Sequence, residues 1–116
     1  MRPLLMLLFS GILACMLYVT TAASLEVGVL DGARKLWPDA WFRATLADAY
    51  FGFVTVFVWI ASRERTLLAR VAWFVLLMTL GNIAISAYVL IALFRLKPEE
   101  PLSALLQPKP AVGARA

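Results

Sequence analysis

Three long stretches of this chain carry almost no charge, and their length constrains the fold more than any other feature. Leu4 to Ala23 contains no charged residue, Ala44 to Ser62 is interrupted only by Asp48, and Val71 to Phe94 again contains none. An α-helix rises ~1.5 Å per residue, so about 20 residues match the ~30 Å hydrocarbon core of a bilayer. A membrane strand needs only ~9–11 residues, and lipid offers backbone groups no hydrogen-bond partner, so runs this long predict helices. The expected fold is all-α: one membrane domain over 1–116, with transmembrane helices at about 4–23, 44–62 and 71–94.

Composition agrees. The chain has 116 residues, of which 63% are hydrophobic and 16% charged, and its mean hydropathy is +0.86. Soluble domains carry about 25% charge, and a chain this small has too little interior to hide so much apolar surface. The formal charge of +4 is spread around the apolar runs rather than gathered on a basic stripe, so no nucleic-acid partner is expected. A single cysteine, Cys15, precludes an intrachain disulfide, and the absence of histidine removes the usual zinc and haem ligands. No metal and no cofactor are expected.

The first run also fits a secretory signal, with Arg2 before it and the small residues Thr21 to Ser24 after it. It is longer than the ~7–15 residues of a signal core, which favours an uncleaved helix. The linker 24–43 holds charges of both signs, a turn signal at Asp31-Gly32, and a helix start at Pro38-Asp39. Only residues 63–70 separate the second and third runs, so these form an antiparallel hairpin. The tail over 95–116 is rich in proline and is expected to be extended, mobile or laid on the surface, with a short turn of helix around Leu102 to Leu106. Three crossings put the amino terminus and the 63–70 loop on one side. Cations near membrane ends favour the cytoplasm. Arg2, Arg63, Arg65 and Arg70 then oppose Arg34, Lys35, Arg43, Arg95, Lys97, Lys109 and Arg115. The short loop, whose arginines abut two helix ends, sets the expected orientation: loop and amino terminus in the cytoplasm of a bacterium, the chain in its inner membrane.

Polar residues within the runs are the best pointers to function. Asp48 costs about 2.5–3.5 kcal/mol at mid-membrane and less near the headgroups, so it should face a bundle or a wet crevice. Thr45, Asp48, Gly52 and Thr55 recur at spacings of three and four, as do Thr79, Asn82 and Ser86. Small and hydroxyl-bearing stripes pack helices in lipid, and Gly52, Thr55, Thr79 and Asn82 are the expected packing residues. Matching depths in a hairpin bring Thr55 near Asn82 and Asp48 near Ser86 or Tyr88. The arrangement is either a plain helix seam, which is the expected one, or a shallow site lined by Asp48, Tyr50, Ser86 and Tyr88 beside Trp37 and Trp41. Trp37, Trp41, Trp59 and Trp73 are expected to anchor the interfaces, as amphipathic rings do. Gly11 with Cys15, and Ser10 with Ala14, give the first helix a small-residue face.

The segments Trp41 to Tyr50, Trp59 to Glu64, Gly81 to Tyr88 and Leu93 to Pro98, with Trp73 between them, resemble the small membrane proteins grouped as domain of unknown function 1475, known from plants and bacteria. The resemblance covers residues 37 to 105. It implies a bundle of membrane helices and assigns no catalytic residue.

No nucleophile–base pair and no phosphate-binding glycine loop occurs in the sequence. The expected function is therefore a non-enzymatic accessory or assembly subunit beside larger membrane partners. An alternative is a lipid- or isoprenoid-binding protein, or a cyclase-like enzyme that uses Asp48 as a proton donor. A dimeric transporter half ranks last, because no proline breaks the second or third run and Gly52 and Gly81 alone are slight evidence for a broken helix. If lipid is the solvent, the expressed chain should sediment wholly with membranes and leave them only on addition of detergent. A folded, monodisperse chain in the detergent-free supernatant would overturn the reading.

Overall fold

The computed structural model describes residues 1–108, and the regular elements among them are all helices. Helix α1 spans Arg2–Glu26, α2 Val29–Leu36, α3 Ala40–Arg63, α4 Leu67–Leu80 and α5 Asn82–Arg95, followed by a 3₁₀ turn at Leu102–Leu106. The stretch 109–116 of the expected tail lies outside the described residues. Two helices, α1 and α3, are long and apolar enough to cross a membrane. At 25 and 24 residues they reach roughly 36 Å.

Local chemistry explains the boundaries. Asp39 precedes α3, and its carboxylate accepts hydrogen bonds from the amides of Trp41 (2.8 Å) and Phe42 (3.2 Å). Thr66 caps α4 by accepting from the Ala69 amide at 3.2 Å. Each cap satisfies amides that the first helical turn leaves without a partner. Within the 24–43 linker, Asp31-Gly32 does not form the expected turn but lies inside helix α2, whose residues continue the helical hydrogen bonding through both.

The third expected span does not run through. It divides at Gly81 into two helices of 14 residues each, about 21 Å apiece and shorter than a bilayer core. Gly81 has φ +57° and ψ −122°, a conformation that L-residues rarely adopt. The chain reverses there. Trp73 and Tyr88 flank the turn almost symmetrically, and their rings lie 4.8 Å apart in an edge-to-face contact. In one straight helix they would be separated by ~22 Å. The reversal is packed against α3: a Cβ on Gly81 would stand 2.7 Å from Phe53 Cζ.

The expected α3–α4 hairpin is present. Phe57 meets Phe74 edge-to-face at 5.1 Å, and the Tyr50 hydroxyl donates to the Met78 carbonyl at 3.0 Å. Ile60, Leu77, Ala84 and Tyr88 form the buried centre, joining α3, α4 and α5. α1 packs along α5 in antiparallel sense, because Arg2 donates to the carbonyls of Leu96 (3.5 Å), Lys97 (2.7 Å) and Glu100 at the far end of α5. Its contact face is Leu5, Met6, Phe9, Ile12, Leu13 and Met16, half-buried at successive spacings of one or three residues. The small-residue face is elsewhere: Ser10, Gly11, Ala14 and Cys15 are exposed. The tail returns toward the end of α3, where the Trp59 indole donates to the Leu105 carbonyl at 3.1 Å.

Replacing Gly81 tests the reversal. Gly81→Ala should lower the unfolding midpoint in detergent, with a loss of about 1–3 kcal/mol from backbone strain and a displaced Phe53 ring. Gly52→Ala is the control, since its new Cβ meets nothing within 4 Å, and it should be neutral or stabilising. Equal midpoints for the two variants would show that the turn does not exist.

Candidate functional site

The sequence-predicted polar site does not assemble. Asp48 and Tyr50 lie on the upper part of α3 and are exposed, whereas Ser86 and Tyr88 are buried on α5. The fold-back carries Ser86 and Tyr88 away from Asp48, toward the opposite end of α3. Tyr50 spends its hydroxyl on the Met78 carbonyl and so fastens α3 to α4.

The expected packing residues are likewise off the seam. Gly52, Thr55, Thr79 and Asn82 are exposed. The hydroxyls of Thr55 and Thr79 turn back on their own helices, donating to Phe51 O (2.9 Å) and Val75 O (2.8 Å), a bond that removes them from cross-helix pairing. The seam belongs instead to the larger side chains Phe53, Val56, Phe57 and Ile60 of α3.

The four tryptophans divide. Trp37 and Trp41 are exposed at the α2–α3 end, Trp41 to 82%, as interface anchors would be. Trp59 and Trp73 are partly buried against the core and face each other across Tyr88. The Tyr88 ring meets Trp59 at 5.4 Å and 83°, and Trp73 at 4.8 Å and 86°. Aromatic rings gain from such edge-to-face contacts because the positive ring edge meets a negative face.

Into this aromatic box come two charges from the end of α3. Arg63 and Glu64 are both buried, a placement such residues take only with partners. Arg63 Nη1 donates to the Tyr88 hydroxyl at 3.2 Å, and that hydroxyl donates onward to Glu64 Oε2 at 2.9 Å. The guanidinium also sits 5.6 Å from the ring centroids of Trp59 and Tyr88, within the range of a cation–π attraction. The Glu64 backbone carbonyl accepts from Arg70 Nε at 3.1 Å. Tyr88 is thus a bridge between a cation and a carboxylate. Two buried polar atoms, Arg63 Nε on α3 and Ser86 Oγ on α5, have no hydrogen-bond partner among the described residues.

Arg63 and Glu64 were visible in the sequence only as charges closing a helix. Their burial needs Tyr88 beside them, which follows from the reversal at Gly81, and the hydropathy pattern gives no signal of that reversal. Chemically, a chain of donors ending on a carboxylate holds helices in register. Among the described residues no group of three or more His, Cys, Asp or Glu side chains could hold a metal ion.

Residues 4–109 match the model of a family described as "Protein of unknown function (DUF1475)". The match takes in α1 as well as the segments that carry the resemblance in the sequence. No curated protein and no solved structure matches the chain.

Removing the bridge should be costly. Tyr88→Phe keeps the rings but leaves Arg63 and Glu64 without their shared hydroxyl, and should cost about 1–3 kcal/mol in detergent unfolding. An unchanged midpoint would mean that the bridge contributes nothing.

Proposed function

We propose that this chain, which belongs to the DUF1475 family of proteins of unknown function, is an integral membrane protein acting as a non-enzymatic accessory or assembly subunit beside larger membrane partners. The observation that carries the reading is where its unsatisfied surface lies. None of the most apolar stretch of α1 and only 6% of that of α3 is buried, so two bilayer-length helices offer their sides to lipid or to other helices. The buried polar residues of the interior, by contrast, are largely spent on one another around Tyr88.

In this arrangement α1 and α3 cross the bilayer, while α4 and α5 form a re-entrant hairpin with its tip at Gly81. Apolar helices of 10–14 residues suit re-entrant positions, and irregular backbone at membrane depth is tolerated where protein covers it, as Phe53 covers Gly81. The tail then lies on the same side as the amino terminus and the 63–66 turn, a change from the three-crossing expectation. That side collects Arg2, Arg63, Arg65, Arg70, Arg95 and Lys97, against Arg34, Lys35 and Arg43 on the other. The competing counts of the sequence now agree, and the cation-rich end faces the cytoplasm.

Cysteine accessibility in intact cells tests the topology. On a Cys15→Ser background, Leu67→Cys and Glu99→Cys should react from the cytoplasmic side and Asp31→Cys from the other. Labelling of positions 67 and 99 from opposite sides would restore a continuous third crossing. For the accessory role, the chain should co-migrate with a larger complex on native gels of gently solubilised membranes. A chain that always runs alone would refute that role.

A further inference from the structure

Helix α2 has two unlike sides. At 100° per residue, Val29, Leu30, Ala33, Leu36 and Trp37 fall within an arc of about 120°, and Asp31, Arg34 and Lys35 occupy the opposite arc. The apolar side has no cover of its own: Val29 is 81% and Leu30 74% exposed, and Trp37 is exposed as well. A short run before α2 and another after it lead directly to α1, which ends at Glu26, and α3, which begins at Ala40. The helix is therefore tethered close to the ends of both bilayer-length helices. Beside it opens a shallow, largely apolar cleft of about 400 Å³ lined by Leu30, Ala33, Trp37 and Pro38, with Arg34, the polar residue next to Leu30 around the helix, at its edge.

We infer that α2 lies in the plane of the membrane interface and that its cleft binds an anionic phospholipid, with acyl chain on Leu30, Ala33 and Pro38 and phosphate on Arg34. This deepens the membrane reading proposed above and rests on it. An amphipathic helix with basic residues on its polar side sinks its apolar side ~5–10 Å into the boundary between headgroups and acyl chains. Trp37 stands at the end of α2 where an indole favours that boundary. The guanidinium supplies what a phosphate needs, a permanent cation with several aligned donors. The nearby carboxylates, Asp31 on α2 and Asp39 at the start of α3, do not line the cleft, and Asp39 is engaged in capping α3.

Full-length protein on a Cys15→Ser background, reconstituted in vesicles of phosphatidylcholine with phosphatidylglycerol, carries the test. Spin labels at Leu30→Cys, Lys35→Cys and Val58→Cys report collisions with oxygen from the lipid phase or with an aqueous nickel chelate. Labels at 58 and 30 should relax with oxygen and the label at 35 with nickel. Oxygen at 58 with nickel at 30 overturns the interfacial helix and leaves the membrane reading standing, whereas nickel at 58 overturns the membrane reading itself. Shielding of position 30 from both reagents means a protein partner covers the face, which also overturns the inference. Native mass spectrometry of the same reconstitutions should find phosphatidylglycerol retained over phosphatidylcholine, with the preference falling about fivefold in Arg34→Gln. Equal retention of the two lipids by wild type and variant overturns the lipid assignment.

Discussion

A backbone at φ +57° and ψ −122° can be held by glycine at little cost and by other residues only under strain. Gly81 stands at that point, in the middle of an apolar run long enough to cross a bilayer unbroken. Phe53 lies so close that no side chain fits between them. Because the chain reverses there, α5 runs back beside α4, Tyr88 arrives at the foot of α3, and the face of α5 that remains receives α1. Without the turn, none of these contacts would form.

What the turn delivers is then fixed by electrostatics in a poorly polarisable setting. A buried guanidinium or carboxylate left alone costs several kcal/mol, and pairing through hydrogen bonds offsets most of it. Arg63 and Glu64 are neighbours in sequence, so their two charges arrive together and nearly cancel. The Tyr88 hydroxyl, accepting from one and donating to the other, fixes the axial position of α5 against α3. Trp59 and Trp73 box the same ring from two sides. Trp59 reaches further, to Leu105, and so ties the tail to the same cluster. Such a cluster specifies register as well as adding stability, since a shift of one turn along α5 would break the bonds to Arg63 and Glu64 at once.

The outside of the molecule is organised by a different rule. Apolar side chains along α1 and α3 are exposed through most of their length, whereas the exposed cations gather toward the ends of the helices. In water this surface would drive aggregation; in lipid it is the ordinary exterior of a membrane protein. The small, polar-studded stripe of α3, from Asp48 through Gly52 to Thr55, lies on this outer surface. Small residues let backbones approach, but within this chain no helix uses the stripe: the α3 seam is built from larger side chains.

Much of the fold was legible from the sequence because it depends on local quantities. The length of 4–23 and 44–62, the first without charge and the second with Asp48 alone, determined two helices long enough for a bilayer, Asp39 determined where α3 begins, and the short 63–70 segment determined a hairpin; the turn around Leu102–Leu106 was also readable. The break at Gly81 was not, because hydropathy is blind to backbone handedness and a lone glycine is tolerated in many helices. Everything downstream of it was decided only in three dimensions: that Ser86 and Tyr88 leave Asp48, that Trp59 and Trp73 turn inward while Trp37 and Trp41 stay outside, and that the tail lies with the amino terminus. A periodic pattern tells which residues share a face of one helix, but which face meets which neighbour depends on the path of the chain, and here a single reversed peptide sets that path.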